Sequence, residues 1–216
     1  ATMRLAVPIL LAALGGLYAE RSGVLNIGLE GAMLTGAFVG FVTAYATGSI
    51  AVAVPAAIAA GGLFGIVLAF YAVTLGANQV VVGIAMNLVA VGVTSFFYRL
   101  IFGDGTDRPR IDTLLPPDFG ALADWPLIGP LLFRQDALAF LALALVPLTW
   151  FVIARTRFGL DIRAVGEHPE AAETLGVNVT RVRYGAVAIS SGLAGFGGAT
   201  LSLAATGVFL DGMTAR

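Results

Sequence analysis

The chain has 216 residues, 58% hydrophobic and 12% charged, with a formal net charge of −1 and a mean hydropathy of +0.93. Soluble domains are about a quarter charged, so an ordinary soluble fold is excluded, and continuous apolar runs in place of alternating ten-residue segments exclude a membrane β-barrel. With no cysteine, a single histidine (His168) and arginine for all 12 basic residues, the sequence also excludes disulfides, thiolate chemistry, a multi-histidine metal centre, and any lysine nucleophile or P-loop.

What remains is an all-α, polytopic transmembrane bundle, read as one domain over 1–216. No cofactor or metal is expected, and the near-neutral charge gives no sign of a nucleic-acid partner. The first apolar segment, Leu5 to Ala19, follows Ala1-Thr2-Met3-Arg4 directly, and the chain stops at GVFLDGMTAR without a cap. Both ends are read as cuts within a longer chain.

The second segment, about Val24 to Ala46, contains the stretch SGVLNIGLEGAML, Ser22 to Leu34. Asn26 and Glu30 are one helical turn apart and would share a helix face. A charge at the bilayer centre costs roughly 2.5–3.5 kcal/mol, so Glu30 is expected against protein, water or the membrane edge, or protonated. Ser22, Gly23, Gly28 and Gly31 interrupt the apolar pattern. The stretch is read as a helix break beside a solute path. Asn26 and Glu30 would hydrogen-bond the freed backbone or touch the solute. Whether the stretch makes a full crossing is left open.

The third segment is Ile50 to Leu75 and the fourth Val80 to Phe102. Gln79, Gly83, Asn87, Thr94 and Tyr98 recur at spacings that keep to one side of the fourth. That stripe can pack against a neighbouring helix or line a path. Asn78 stands beside it, and Phe96, Phe97 or Tyr98 could stack on a planar solute. A long acidic, proline-bearing loop (103–136) follows, then the fifth segment, Ala137 to Ala154. The next loop, 155–183, carries five arginines against three in the acidic loop. The positive-inside rule therefore puts it in the cytoplasm. The sixth segment, Tyr184 to Val208, spaces Ala188, Gly192, Gly195, Gly198 and Ala199 for close helix packing, within the chain or at a subunit contact.

Within the arginine loop, AVGEHPEAAETLGVNVTR predicts a short helix from Pro169 to Leu175. Pro169 suits the first position, Glu170 the dipole, and Gly176 a left-handed stop. About two turns do not stand alone, so a partner surface or the membrane surface must support them.

This loop resembles the cytoplasmic coupling signature of ATP-binding-cassette importer permeases, G-x-x-x-x-A-A-x-x-x-G-[IV]-[NP], matched by Gly166, Ala171, Ala172, Gly176, Val177 and Asn178. RTRFGLDIRAVG and ERSGVLNIGLEGAMLTGAF are similar to the same branch. GANQVVVGIAMNLVAVGVTSFFYR is similar to nucleoside-type permeases, which commonly read G-A-N-E-V where this chain has Gln79. The closing GMTA also fits, and the resemblance implies further C-terminal spans. It covers nearly the whole chain.

The resemblance implies a permease subunit of the nucleoside, simple-sugar and branched-chain amino acid permease family, in the bacterial cytoplasmic (inner) membrane. Its partners would be a cytoplasmic ABC ATPase, a second permease subunit (identical or related) and an extracytoplasmic solute-binding protein. A nucleoside or related sugar-containing solute ranks first and a branched-chain amino acid second. Gly166, Glu167, Pro169, Glu170, Ala171, Ala172, Thr174 and Gly176 would couple to the ATPase. Asn26, Glu30, Asn78, Gln79, Asn87, Thr94 and Tyr98 are the candidates for the solute path. No catalytic residue is expected, since ATP hydrolysis would lie on the separate subunit. An ion-coupled carrier is the rival reading, weakened because Glu30 is the only plausible intramembrane carboxylate.

Overall fold

The computed structural model describes residues 2–103, 109–111, 136–209 and 213–214, and every regular element among them is helical. The long helices are α1 (Thr2–Arg21), α2 (Leu29–Thr47), α3 (Ile50–Ala69), α4 (Gln79–Phe102), α5 (Ala137–Arg155) and α8 (Val179–Thr200). Two short ones, α6 (Arg157–Glu167) and α7 (Pro169–Thr174), lie between α5 and α8. Turns of π-helix extend α3 over Phe70–Thr74 and α8 over Leu201–Thr206. Five described helices, 29–47, 50–74, 79–102, 137–155 and 179–206, are long and apolar enough to cross a bilayer. The fold is the expected all-α polytopic bundle.

α8 is the axis of the bundle. Its span is 78% buried, against 17% for α4, and it packs most extensively on α3, α2 and α1. α2 runs parallel to it and α1 and α3 antiparallel, as the order of close approaches shows. Lipid tails are as apolar as the side chains, so helices in a membrane gain from close backbone approach rather than from hydrophobic burial. The glycines supply that approach. A Cβ on Gly195 would sit 2.6 Å from Ala57 O, and one on Gly65 would sit 2.6 Å from Ser191 Oγ. Gly36 and Gly61 are equally tight against Gly195 and Ser191. The expected small-residue stripe is thus real, but Gly195, Gly198 and Ala199 close an intrachain seam. The subunit contact considered from sequence is corrected: these positions are already filled by α2 and α3.

α4 and α5 form the periphery. Near its C-terminus α4 joins an aromatic cluster, where Tyr98 packs at a tilt on Phe209 and Phe102 edge-on to Phe41, at centroid distances of 5.4 and 5.8 Å. Of the acidic loop, residues 104–108 and 112–135, with Asp104, Asp107, Asp112, Asp118 and Asp124, lie outside the described residues. Its inner margin is described: Ile111 N donates to Gly207 O (3.0 Å), and Asp136 is buried where α5 begins.

The region between α5 and α8 folds against the bundle end. Ile162 and Val165 of α6 and Ala172 of α7 pack with Tyr18, Val182 and Ala186. α7 has Pro169 at its start and ends at Thr174, one residue short of the predicted Leu175, with Gly176 at φ +85°. A positive φ there is open to glycine at no steric cost.

Candidate solute path and coupling surface

α1 stops at Arg21 and α2 starts only at Leu29. The intervening residues turn back beside α8. Asn26 reaches Ser190 and Ser191, roughly 17 Å along α8 from Val179. The sequence expectation of a helix break is met, and the break falls between α1 and α2, with α2 beginning part-way along α8.

Non-helical backbone at membrane depth survives only where protein or a water-lined cavity satisfies its polar groups. α4 supplies them. Gln79 Oε1 accepts from Leu25 N at 2.7 Å. Asn87 Oδ1 accepts from Gly31 N at 2.8 Å, and its Nδ2 donates to Ile27 O at 3.1 Å. Gly31 lies in the first turn of α2, where N–H groups have no helical acceptor. Gly83 fits the same groove, since a Cβ there would meet Ile27 Cβ at 2.7 Å. The polar stripe of α4 is therefore turned inward onto the broken segment.

Two expectations change here. Asn26 is not helical and is 7% exposed, whereas Glu30 is exposed at the start of α2, so the pair does not share a face. Nor do they serve the freed backbone, which Gln79 and Asn87 satisfy instead. Asn26 Nδ2 donates to the hydroxyls of both Ser190 and Ser191, each at 3.0 Å. Its Oδ1 is buried and has no hydrogen-bond partner. Sequence reasoning missed the two serines; the available signal was an adjacent hydroxyl pair in the middle of a glycine- and alanine-rich span.

The remaining path candidates are more dispersed. Asn78 Oδ1 caps α4 by accepting from Val80 N (3.0 Å) and Val81 N (3.3 Å). Thr94 is buried and donates back to Ala90 O at 2.7 Å. Tyr98 lies in the aromatic cluster, while Phe96 and Phe97 are exposed on the outer face. The structure thus brings Asn26, Gln79 and Asn87 together around residues 22–31 and leaves Thr94 and Tyr98 further along α4. Most of these amides and hydroxyls are engaged within the chain, and Asn26 Oδ1 is the buried acceptor left without a partner. Among the described residues no His, Cys, Asp and Glu cluster could hold a metal.

The coupling candidates form one end surface. Glu167, Glu170, Ala171, Thr174 and Gly176 are exposed, Pro169 is half-buried, and Leu175 is 86% exposed. Ala172 faces the bundle at 3% exposure and anchors α7. Gly166 lies against Arg21 O, and Gly23 lies 3.5 Å, measured from its Cβ position, from Gly166 Cα. Arg183 Nε donates to Ser22 O at 3.3 Å. The end of α6 therefore rests directly on the start of the broken segment. Neither Arg183 nor this clasp was anticipated from sequence.

Known proteins share this sequence closely. It is 42% identical over 99% of the chain to a putative glucose ABC transporter permease protein of Haloferax volcanii, covering 65% of that protein. It is 43% identical over 92% of the chain to a guanosine ABC transporter permease protein of Bacillus subtilis, covering 64%. To a nucleoside ABC transporter permease protein of Lactococcus lactis it is 37% identical over 94% of the chain, covering 66%. The chain thus spans just under two thirds of the length of these relatives. No solved structure matches it. Residues 1–216 match the family described as branched-chain amino acid transport system / permease component, and the chain belongs to that family of multi-pass membrane transport subunits.

Proposed function

We propose that the full-length protein is the permease subunit of an ABC importer in the bacterial cytoplasmic membrane, moving a nucleoside or a related sugar-containing solute. ATP hydrolysis takes place on a separate cytoplasmic ATPase. A second permease subunit completes the path, and an extracytoplasmic binding protein delivers the solute. The observation that carries this reading is α7: a helix of six residues, anchored inward by Ala172 and presenting Leu175 outward. Such a helix is too short to persist without its anchorage, and an apolar side chain 86% exposed at its end suits a partner groove.

Movement of α7 and α6 by the ATPase reaches the broken segment through Gly166, Arg21 and Gly23. That segment is held at its far side by Asn87 and by the Asn26 serine pair. Its displacement opens or closes the path, a shift between two states biased by nucleotide and solute. The unpartnered Asn26 Oδ1 is the position offered to a solute hydroxyl. Guanosine, nucleoside and glucose permeases among the relatives support a hydroxyl-rich solute. The family description favours a second reading, a branched-chain amino acid.

The test is uptake into vesicles holding the complete complex, with labelled guanosine, glucose and leucine in competition. ATP-dependent guanosine or glucose uptake that ignores leucine is the expected result. Leucine uptake alone establishes the second reading, and uptake driven by an ion gradient without ATP overturns both.

A further inference from the structure

We propose that the groove between α1 and α5 binds an anionic phospholipid, with its phosphate at Arg21 and Arg163. The groove has a volume of about 390 Å³. Leu14 and Leu17 of α1 face Val146 and Ile153 of α5 across it, and Arg21 and Arg163 close one end. The wall residues of α1, from Leu14 to Arg21, run roughly 10 Å along the helix, enough to hold part of an acyl chain.

Three observations point to a lipid. First, the two guanidiniums lie at the bundle end that carries α6 and α7, where an acyl chain emerging from the groove meets its headgroup. Second, no carboxylate lines the groove. Among the described residues neither arginine has an ion pair, and Arg163 gives only Nε to Gly159 O at 3.4 Å. Third, Trp150 lines the groove, with the Arg155 guanidinium 6.0 Å above its ring. Tryptophan over a cationic rim is the side chain of a membrane–water interface. A basic pocket between membrane helices on the cytoplasmic side matches the negative surface of that leaflet and the phosphate of its lipids. The leaflet assignment rests on the cytoplasmic placement of residues 155–183; the lipid itself does not rest on which solute is carried.

The experiment uses the full-length protein with Trp150 as its only tryptophan, in phosphatidylcholine vesicles. Brominated phosphatidylglycerol and brominated phosphatidylcholine are titrated separately as quenchers of Trp150. Phosphatidylglycerol is expected to quench at a lower mole fraction, by about fivefold for each arginine. Arg21→Gln and Arg163→Gln should each remove their share of that preference. Equal quenching by both lipids overturns the proposal, as does a preference that both single variants retain. Quenching by neither lipid means that a further span or a second subunit fills the groove, which also overturns it. Millimolar inorganic phosphate that abolishes the preference identifies a free-anion site in place of a lipid.

Discussion

Replacing Asn87 by leucine isolates what the broken segment requires from α4. Leucine keeps the number and branching of the side-chain heavy atoms, with somewhat more bulk, and removes both hydrogen bonds, Gly31 N to Oδ1 and Nδ2 to Ile27 O. Hydrogen bonds between membrane helices average about 0.6 kcal/mol, because the unfolded chain in lipid also finds partners. Two such bonds set a floor near 1 kcal/mol. A buried group left unsatisfied costs about 1–3 kcal/mol. Gly31 is buried and Ile27 is exposed, so that penalty applies to the amide and much less to the carbonyl. The expected loss is about 2 kcal/mol. Gln79→Leu is the internal comparison, since it removes one bond at the rim and should cost about 1 kcal/mol or less. Reversible unfolding of the full-length protein in mixed micelles measures both, and hydrogen exchange over residues 22–34 reports the local opening. If Asn87→Leu costs no more than Gln79→Leu, and exchange at Gly31 is unchanged, the argument that α4 amides hold the broken segment fails.

The other predictions address separate links, and those read by ATPase binding, uptake or KM take the proposed importer function as their premise. Leu175→Gln should weaken ATPase binding by about tenfold or more, the loss for burying a leucine side chain being about 1.5–3 kcal/mol; a binding titration checks it, with stability unchanged within about 0.5 kcal/mol. Gly166→Val should force α6 away from Arg21 and lower solute uptake per ATP hydrolysed, read in vesicles, with ATPase binding retained. Gly195→Val drives a branched side chain against Ala57 O, and should cost more than about 3 kcal/mol because neither backbone can yield; loss of monodisperse protein on gel filtration is the readout. Asn26→Leu should raise KM for the transported solute more than it lowers kcat, and an unchanged KM would remove Oδ1 from the path.

The spans were legible because each is an apolar run close to bilayer length. α7 was legible because Pro169 and Gly176 bracket it with residues whose backbone preferences are strong. α6 was not legible as a helix, although Phe158, Ile162 and Val165 are spaced for one face, because four charged residues and two glycines interrupt its apolar pattern. The stripe on α4 was readable as a stripe, but its partner was not. Periodicity fixes which residues share a face, and says nothing about which element that face meets. Asn26 shows the limit most clearly. Its spacing from Glu30 is helical, yet the chain there is not helical, and the decisive partners, Ser190 and Ser191, lie 164 and 165 residues away.

The axial place of α8 also bears on how the chain assembles as it is made. α8 begins about 110 residues after α3 ends, so α1, α2 and α3 enter the membrane before the helix that joins them. At roughly 5–20 residues per second, the interval is on the order of 5–20 s. Through it, the glycine hollows of Gly36, Gly61 and Gly65 stand empty and Asn26 lacks its serines. Of the three, α2 and α3 can already pair with each other, whereas α1 has little contact with either and is tied in only when α8 arrives.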